Sequence, residues 1–228
     1  MSRRIRAVAF DLDDTLYPER DFVRSGFAAV GDWLHRRRGG AGFADAAWSL
    51  FEEGCRGDVF DRALPKIGIA PEASLLGAMV RVYREHKPSG LRLFPDAAQA
   101  LRELKSVYAL GLITDGFATT QRNKIEALGL EKDFSALICS DQWGRDYWKP
   151  DPRPYLELMA RFSLAGDECA YVGDNPAKDF AGAKALGWRV LQVKRPDGLY
   201  RDEAPPPGGE PDLRLDSLDR LRQFLGSP

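Results

Sequence analysis

The sequence predicts an α/β protein: a doubly wound parallel sheet with a small all-helical domain inserted after its first strand. Three observations carry this expectation. Short apolar runs alternate with amphipathic helical stretches from about residue 90 onward, as in a parallel sheet covered by crossover helices. An apolar run near the N-terminus stops abruptly at a group of aspartates. Between them, Pro18 to Ser89 keeps helical spacing and offers no convincing strand.

The first strand is expected at Ile5 to Phe10. In the insert, Val23, Phe27, Val30 and Leu34 recur at helical intervals, as do Leu76, Met79, Val80 and Tyr83. The core is therefore expected over residues 1–17 and 90–228 and the insert over 18–89. An insert leaving directly after the first strand would stand over that strand's carboxyl end, where open α/β sheets bind ligands. A helix from Pro95 to Lys105 opens with Pro and Asp and buries Ala97, Leu101 and Leu104. A strand follows at Val107 to Ile113, then a helix from Thr119 to Leu128 that Gly129 ends. Further strands are expected at Ala136 to Cys139, Cys169 to Val172 and Arg189 to Val193, with a weaker one at Leu213 to Leu215. Helices from Pro154 to Phe162 and Pro176 to Leu186 connect them, and the Pro- and Gly-rich stretch Ala204 to Pro211 reads as a surface loop.

Composition narrows the function classes. The chain has 228 residues, 44% of them apolar, enough for a full core. Its 33 Lys and Arg against 34 Asp and Glu create no overall field toward nucleic acid or an anionic membrane, so neither partner is expected. The apolar run after the basic start is too short for a signal peptide or a span, which makes the cytoplasm the expected location. Cys55, Cys139 and Cys169 lack Cys-x-x-Cys spacing, so neither a disulfide framework nor a zinc site is expected. His35 and His86 lie beside basic residues on helical stretches and read as solvated surface. No pattern specifies an oligomeric state.

Four short motifs carry chemistry. Phe10-Asp11-Leu12-Asp13-Asp14-Thr15-Leu16 puts two carboxylates two residues apart at a strand end, a place where acidic residues also serve as ordinary turn formers. Leu112-Ile113-Thr114-Asp115-Gly116 puts a hydroxyl and a Gly-assisted turn at the same sheet edge, where backbone amides can hold a phosphate oxygen. Trp148-Lys149-Pro150-Asp151-Pro152 presents a cation from a loop that the prolines hold extended. Tyr171-Val172-Gly173-Asp174-Asn175-Pro176-Ala177-Lys178-Asp179 puts Asp174 after a strand and Asp179 in the first turn of a helix, with Asn175 as a cap. Carboxylates gathered at one edge repel, each close pair costing on the order of 4 kcal/mol at about 4 Å. Oxygen ligands without His or Cys select a hard cation, and Mg2+ is the usual partner of carboxylates with phosphate.

In this order the motifs resemble the haloacid dehalogenase-like (HAD) hydrolase superfamily over the whole chain, with the insert matching its helical cap and the sheet its Rossmann-like core. The resemblance implies that Asp11 attacks phosphorus to give an aspartyl-phosphate, while Asp13 protonates the leaving oxygen and later activates water. It implies substrate binding by Thr114, Asp115, Gly116 and Lys149, and a Mg2+ site formed by Asp11, Asp13 through its backbone carbonyl, Asp174 and Asp179. Many relatives carry Asn where this chain has Asp115, which adds negative charge near the phosphate. Relatives that cleave carbon–halogen bonds lack a carboxylate at the position of Asp13, since a halide needs no proton. The resemblance thus points to a phosphatase for a small soluble phosphorylated metabolite. A sugar-phosphate mutase of the same superfamily is the alternative. A phospho-accepting receiver domain or an idle scaffold are the non-enzymatic ones. Trp143, Tyr147 and Trp148 read as local packing in preference to a substrate-stacking surface.

Overall fold

The computed structural model describes residues 4–226. The chain splits into two compact units, one comprising the residues up to Glu19 and from Arg92 onward, the other Arg20–Leu91.

The first unit is a six-stranded, all-parallel sheet: β1 (Ala7–Phe10), β2 (Ala109–Thr114), β3 (Ala136–Cys139), β4 (Cys169–Gly173), β5 (Arg189–Val193) and β6 (Leu213–Leu215), in the order β3-β2-β1-β4-β5-β6. Every residue of β1 is buried, which is why a strand covered on both faces reads as a continuous apolar run instead of an alternating one. From central β1 the chain builds outward to β2 and β3, then returns to add β4 to β6 on the other side. The carboxyl ends of β1, β2 and β4 therefore flank a topological switch point. Ala7 and Ala9 face one side with Ile113, Ile138, Tyr171 and Val190. There they pack with Tyr155 and Leu158 of α7 (Arg153–Phe162) and Ala183 of α8 (Ala181–Ala185). The small β1 residues leave room for an aromatic group in which Tyr155 meets Tyr171 at 5.2 Å and Trp188 at 5.6 Å, both edge-on. Phe10 meets Phe134 edge-on at 6.2 Å. The expected helix at Pro95 is α5 (Pro95–Leu104), and it buries Ala97, Leu101 and Leu104.

The second unit contains α2 (Phe43–Glu52), α3 (Val59–Lys66), α4 (Ala73–Glu85) and all of α1 (Glu19–Arg38) beyond its first residue. Phe27 on α1 lies 6.2 Å from Phe51, 6.0 Å from Phe60 and 5.8 Å from Tyr83, so edge-on and tilted ring contacts form its centre. Val23, Phe27, Val30 and Leu34 are buried as their spacing requires. On α4 the fully buried residues are Leu75 and Met79, while Leu76, Val80 and Tyr83 are half-buried. The stripe is rotated by about one residue from the expected one because Gly77 and Arg81 take the exposed side.

Three local expectations are corrected. The helix expected from Pro176 begins only at Ala181, because Asn175 and Asp179 use their side chains to close a loop first. Residues 148–151 turn back, with the Asp151 N–H donating to the Trp148 carbonyl at 3.0 Å, instead of running extended. The Lys149–Pro150 peptide within this turn is cis, and Lys149 is anchored at both its amide and its ammonium. His86 is half-buried at the end of α4, 2.9 Å from Ser25 Oγ, and burial lowers its pKa.

Candidate active site

The loop after β1 begins with Asp11, whose N–H donates to the Val172 carbonyl at 2.9 Å and so extends the β1–β4 ladder by one residue. Leu12, Leu16 and Tyr17 are buried and pin the loop from below. Asp14 has φ +51, a left-handed conformation that Asp tolerates better than most residues. Its carboxylate accepts the Glu19 N–H at 2.9 Å and the Leu199 N–H at 2.8 Å. Arg195 donates to the Thr15 carbonyl at 2.8 Å. The next residue, Thr15, points its hydroxyl toward Asp174 at 3.5 Å.

Asp11, Asp174 and Asp179 converge, with one oxygen of each within 4.8 Å of the others, and all three are buried. Asp179 reaches this point because Gly173 has no side chain: a Cβ there would stand 2.4 Å from Asp179 Oδ2. The Asp179 carboxylate accepts the Asn175 N–H at 2.9 Å, and the Asp179 carbonyl accepts the Tyr155 hydroxyl at 2.8 Å. Lys149 pairs with Asp11 and lies 2.8 Å from Asp179, and its ammonium also donates to the Tyr171 hydroxyl at 2.9 Å. Burial pushes the Asp11 carboxyl up to about 6, with Lys149 opposing the rise and Asp179 adding to it. Asp174 is held well above the usual carboxylate range by burial and then by Asp179 and Asp11. Oδ2 of both Asp11 and Asp174 is buried without a hydrogen-bond partner. Three buried carboxylates with one resident lysine and orphaned oxygens fit a hard divalent cation, which would supply the missing positive charge.

Asp13 stands apart from this group and faces α6 (Ala118–Leu128). Its carboxylate takes hydrogen bonds from Lys124 at 2.7 Å, Gln121 at 2.9 Å and the Tyr17 hydroxyl at 2.5 Å. Burial alone would raise its pKa, but Lys124 and these hydrogen bonds outweigh burial and hold it below the usual range. The same Gln121 amide donates to Thr114 Oγ1 at 2.5 Å, so one side chain links Asp13 to the end of β2. Gly116 turns the chain there at φ +117, and a Cβ would press on Gln121 at 3.2 Å. Asp115 turns its carboxylate to the Ser140 hydroxyl and to the Lys149 N–H at 3.1 Å, joining three loops.

A family model described as haloacid dehalogenase-like hydrolase matches residues 5–187. The chain belongs to the haloacid dehalogenase-like hydrolases. Among relatives, glyceraldehyde 3-phosphate phosphatase of Methanopyrus kandleri is 30% identical over 97% of this chain and 96% of its own. Phosphoserine phosphatase of Thermus thermophilus is 37% identical over 70% of this chain and 61% of its own. Among solved structures, 2-haloacid dehalogenase from Pseudomonas syringae superposes with TM-score 0.66 at 27% identity, covering 97% of this chain and 98% of that one. The magnesium-bound HAD-hydrolase YfnB from Bacillus subtilis shares the fold at TM-score 0.71 and 19% identity, over 98% and 99% of the two chains.

In this haloacid dehalogenase-like hydrolase, the structure brings together Asp11, Lys149, Asp174 and Asp179, and links Asp13 to Thr114 through Gln121. Lys149 has a side chain 0% exposed, its ammonium enclosed by Asp11, Asp179 and Tyr171. Sequence reasoning missed Tyr17, Gln121, Lys124, Ser140 and Tyr171, which hold these groups. Gln121 and Lys124 are three residues apart on a helix, a spacing that puts them on one face, but nothing in the sequence marks that face as the inward one.

Proposed function

We propose that the protein is a magnesium-dependent phosphatase that acts in the cytoplasm on a small soluble phosphomonoester through an aspartyl-phosphate, with residues 18–89 as its cap. The observation that carries this reading is Asp13: a carboxylate two residues after the nucleophile, bonded to Lys124, Gln121 and Tyr17. A carbon–halogen bond gives a leaving group that needs no proton, whereas an alkoxide does. Asp13 therefore favours the phosphatase over the dehalogenase named among the solved structures.

One Asp11 oxygen attacks phosphorus, the bond from phosphorus to the ester oxygen breaks, and that oxygen takes a proton from Asp13. Water then attacks the aspartyl-phosphate, gives a proton to Asp13, and releases inorganic phosphate with Asp11 regenerated. Pairing with Lys124 keeps Asp13 ionised at rest; the negative charge of a bound phosphoryl group raises its proton affinity toward the acid form the first step needs. Thr114 and the Gly116 amide hold phosphoryl oxygens. Lys149 keeps Asp11 aimed and ionised. Asp11, the Asp13 carbonyl, Asp174 and Asp179 would hold Mg2+, which when bound offsets charge on the carboxylates and on the transferring group.

The test is phosphate release from p-nitrophenyl phosphate and from three-carbon phosphate monoesters, to which the names of the relatives direct attention. Turnover with Mg2+, its loss on chelation, and its abolition in Asp11→Asn are expected. Equal rates for the wild type and Asp11→Asn overturn the reading. A sugar-phosphate mutase would isomerise its substrate with little net phosphate release, which product analysis by NMR separates.

A further inference from the structure

Lysine side chains approach the carboxylate group from three positions, and they differ in what the protein has left them to offer. Lys149 is 0% exposed, donates to Asp11 and Tyr171, and forms an ion pair with Asp179 at 2.8 Å. Lys124 is 5% exposed and lies 2.7 Å from Asp13. Lys178 is 33% exposed, and its ion-pair partner Asp115 stays 3.7 Å away, beyond hydrogen-bond length. Asp115 cannot close that gap freely, because its other oxygen is bonded to Ser140 and to the Lys149 N–H. Asp115 Oδ2, the oxygen facing Lys178, is buried with no hydrogen bond of its own.

Lys178 nevertheless belongs to the site. Its charge acts on both Asp11 and Asp174. It leaves the loop between Asn175 and Asp179, which is fixed by the Asn175 side chain at the Ala177 N–H and by the Asp179 carboxylate at the Asn175 N–H. An ammonium group held there, partly open to solvent and not saturated by protein oxygens, has donors ready for an arriving anion.

We propose that Lys178 contacts the phosphoryl oxygens of the substrate and that Asp115 sets its position. This rests on the phosphatase reading of the site. It also gives Asp115 a purpose: a negative neighbour that draws the Lys178 side chain inward yet is tethered too far back to saturate it.

The experiment is steady-state kinetics on p-nitrophenyl phosphate, together with calorimetric binding of inorganic phosphate, for the wild type, Lys178→Gln, Lys178→Arg and the double variant Lys178→Gln/Asp115→Asn. Loss of one charge-assisted contact raises KM and weakens phosphate binding by about ten- to a hundredfold in Lys178→Gln. Lys178→Arg recovers most of the loss, and the double variant stays as impaired as the single one. Recovery of wild-type KM and phosphate binding in the double variant would mean that Lys178 merely neutralises Asp115, and would overturn the proposal. Unchanged KM and phosphate binding in Lys178→Gln would overturn it as well. A wild type without turnover sinks the phosphatase reading, and phosphate binding then still decides the role of Lys178. Thermal melts verify folding, with Lys178→Met as a second neutral variant read in the same way.

Discussion

The two units of this chain solve burial in opposite ways. Among the described residues, the buried charged side chains Asp11, Asp14, Lys124, Lys149, Asp174, Asp179 and Arg195 all belong to the sheet unit. The helical unit buries apolar side chains, with its phenylalanines at the centre, and leaves its charges outside. Three of its arginines are spent locally: Arg20 and Arg24 stack on Trp48 at 5.6 and 5.3 Å, and Arg56 lies 4.0 Å from the Phe51 ring. Burying a charge costs several kcal/mol unless it is well paired. A unit that tolerates such a cost at one sheet edge is shaped by chemistry, and one that avoids it is shaped by packing.

Substitutions can break this contrast. On the proposed mechanism, the largest effect on activity short of losing Asp11 is expected at Asp13. Asp13→Asn should lower kcat by about 10²–10⁴-fold while the protein still folds, as steady-state rates and a denaturant melt would show. In the helical unit the sensitive quantity is stability, and Phe27→Ala, which removes a ring touching Phe51, Phe60 and Tyr83, should cost about 3–5 kcal/mol in urea unfolding.

The sheet unit also carries a largely buried pair behind the acidic loop, Arg195, which holds the Thr15 carbonyl, and Asp96. Asp96 accepts hydrogen bonds from Arg195 at 2.6 Å, the Leu218 N–H at 2.8 Å and the Ala97 N–H at 2.8 Å. Burial works to raise its pKa, but these donors outweigh burial and depress it. A depressed carboxylate contributes stability above its unfolded pKa and loses it as pH falls through the folded value. The wild type should therefore lose stability on acidification below the ordinary carboxylate range. Asp96→Asn should be about 1–3 kcal/mol less stable at neutral pH and converge on the wild type in acid, which thermal melts across pH would reveal. The smallest effect is expected for Arg38→Ala, whose partner Glu72 lies 3.5 Å away with both side chains about half exposed. A loss above about 1 kcal/mol there would contradict the picture of a helical unit held by its rings.

The sheet was legible in the sequence because strands buried on both faces leave unbroken apolar runs, and Ala7–Phe10 shows the effect most plainly. The acidic positions were legible for a related reason: Asp11 and Asp174 interrupt or follow such runs at one edge. What supports them was not. Helix α6 turns Thr120, Gln121 and Lys124 inward beside Ile125, and polar residues facing a site have the same letters as polar residues facing water. Tyr155 and Tyr171 belong to the core, but each also lends a hydroxyl, to the Asp179 carbonyl and to Lys149, and no letter in the sequence signals that second use. The late start of α8 was hidden because Pro176 is a good first helical residue; only the recruitment of Asn175 and Asp179 by the loop decides otherwise.

The turn at Asp14 has a consequence for the order in which the molecule is made. Synthesis delivers Asp11 and Asp13 four strands ahead of β5, yet the Leu199 N–H that fastens the Asp14 carboxylate and the Arg195 guanidinium that grips the Thr15 carbonyl both lie beyond β5. A growing chain thus carries its acidic pair long before it carries the clasps for the loop that holds them, and the acid-bearing turn is locked only when the far side of the sheet has been built.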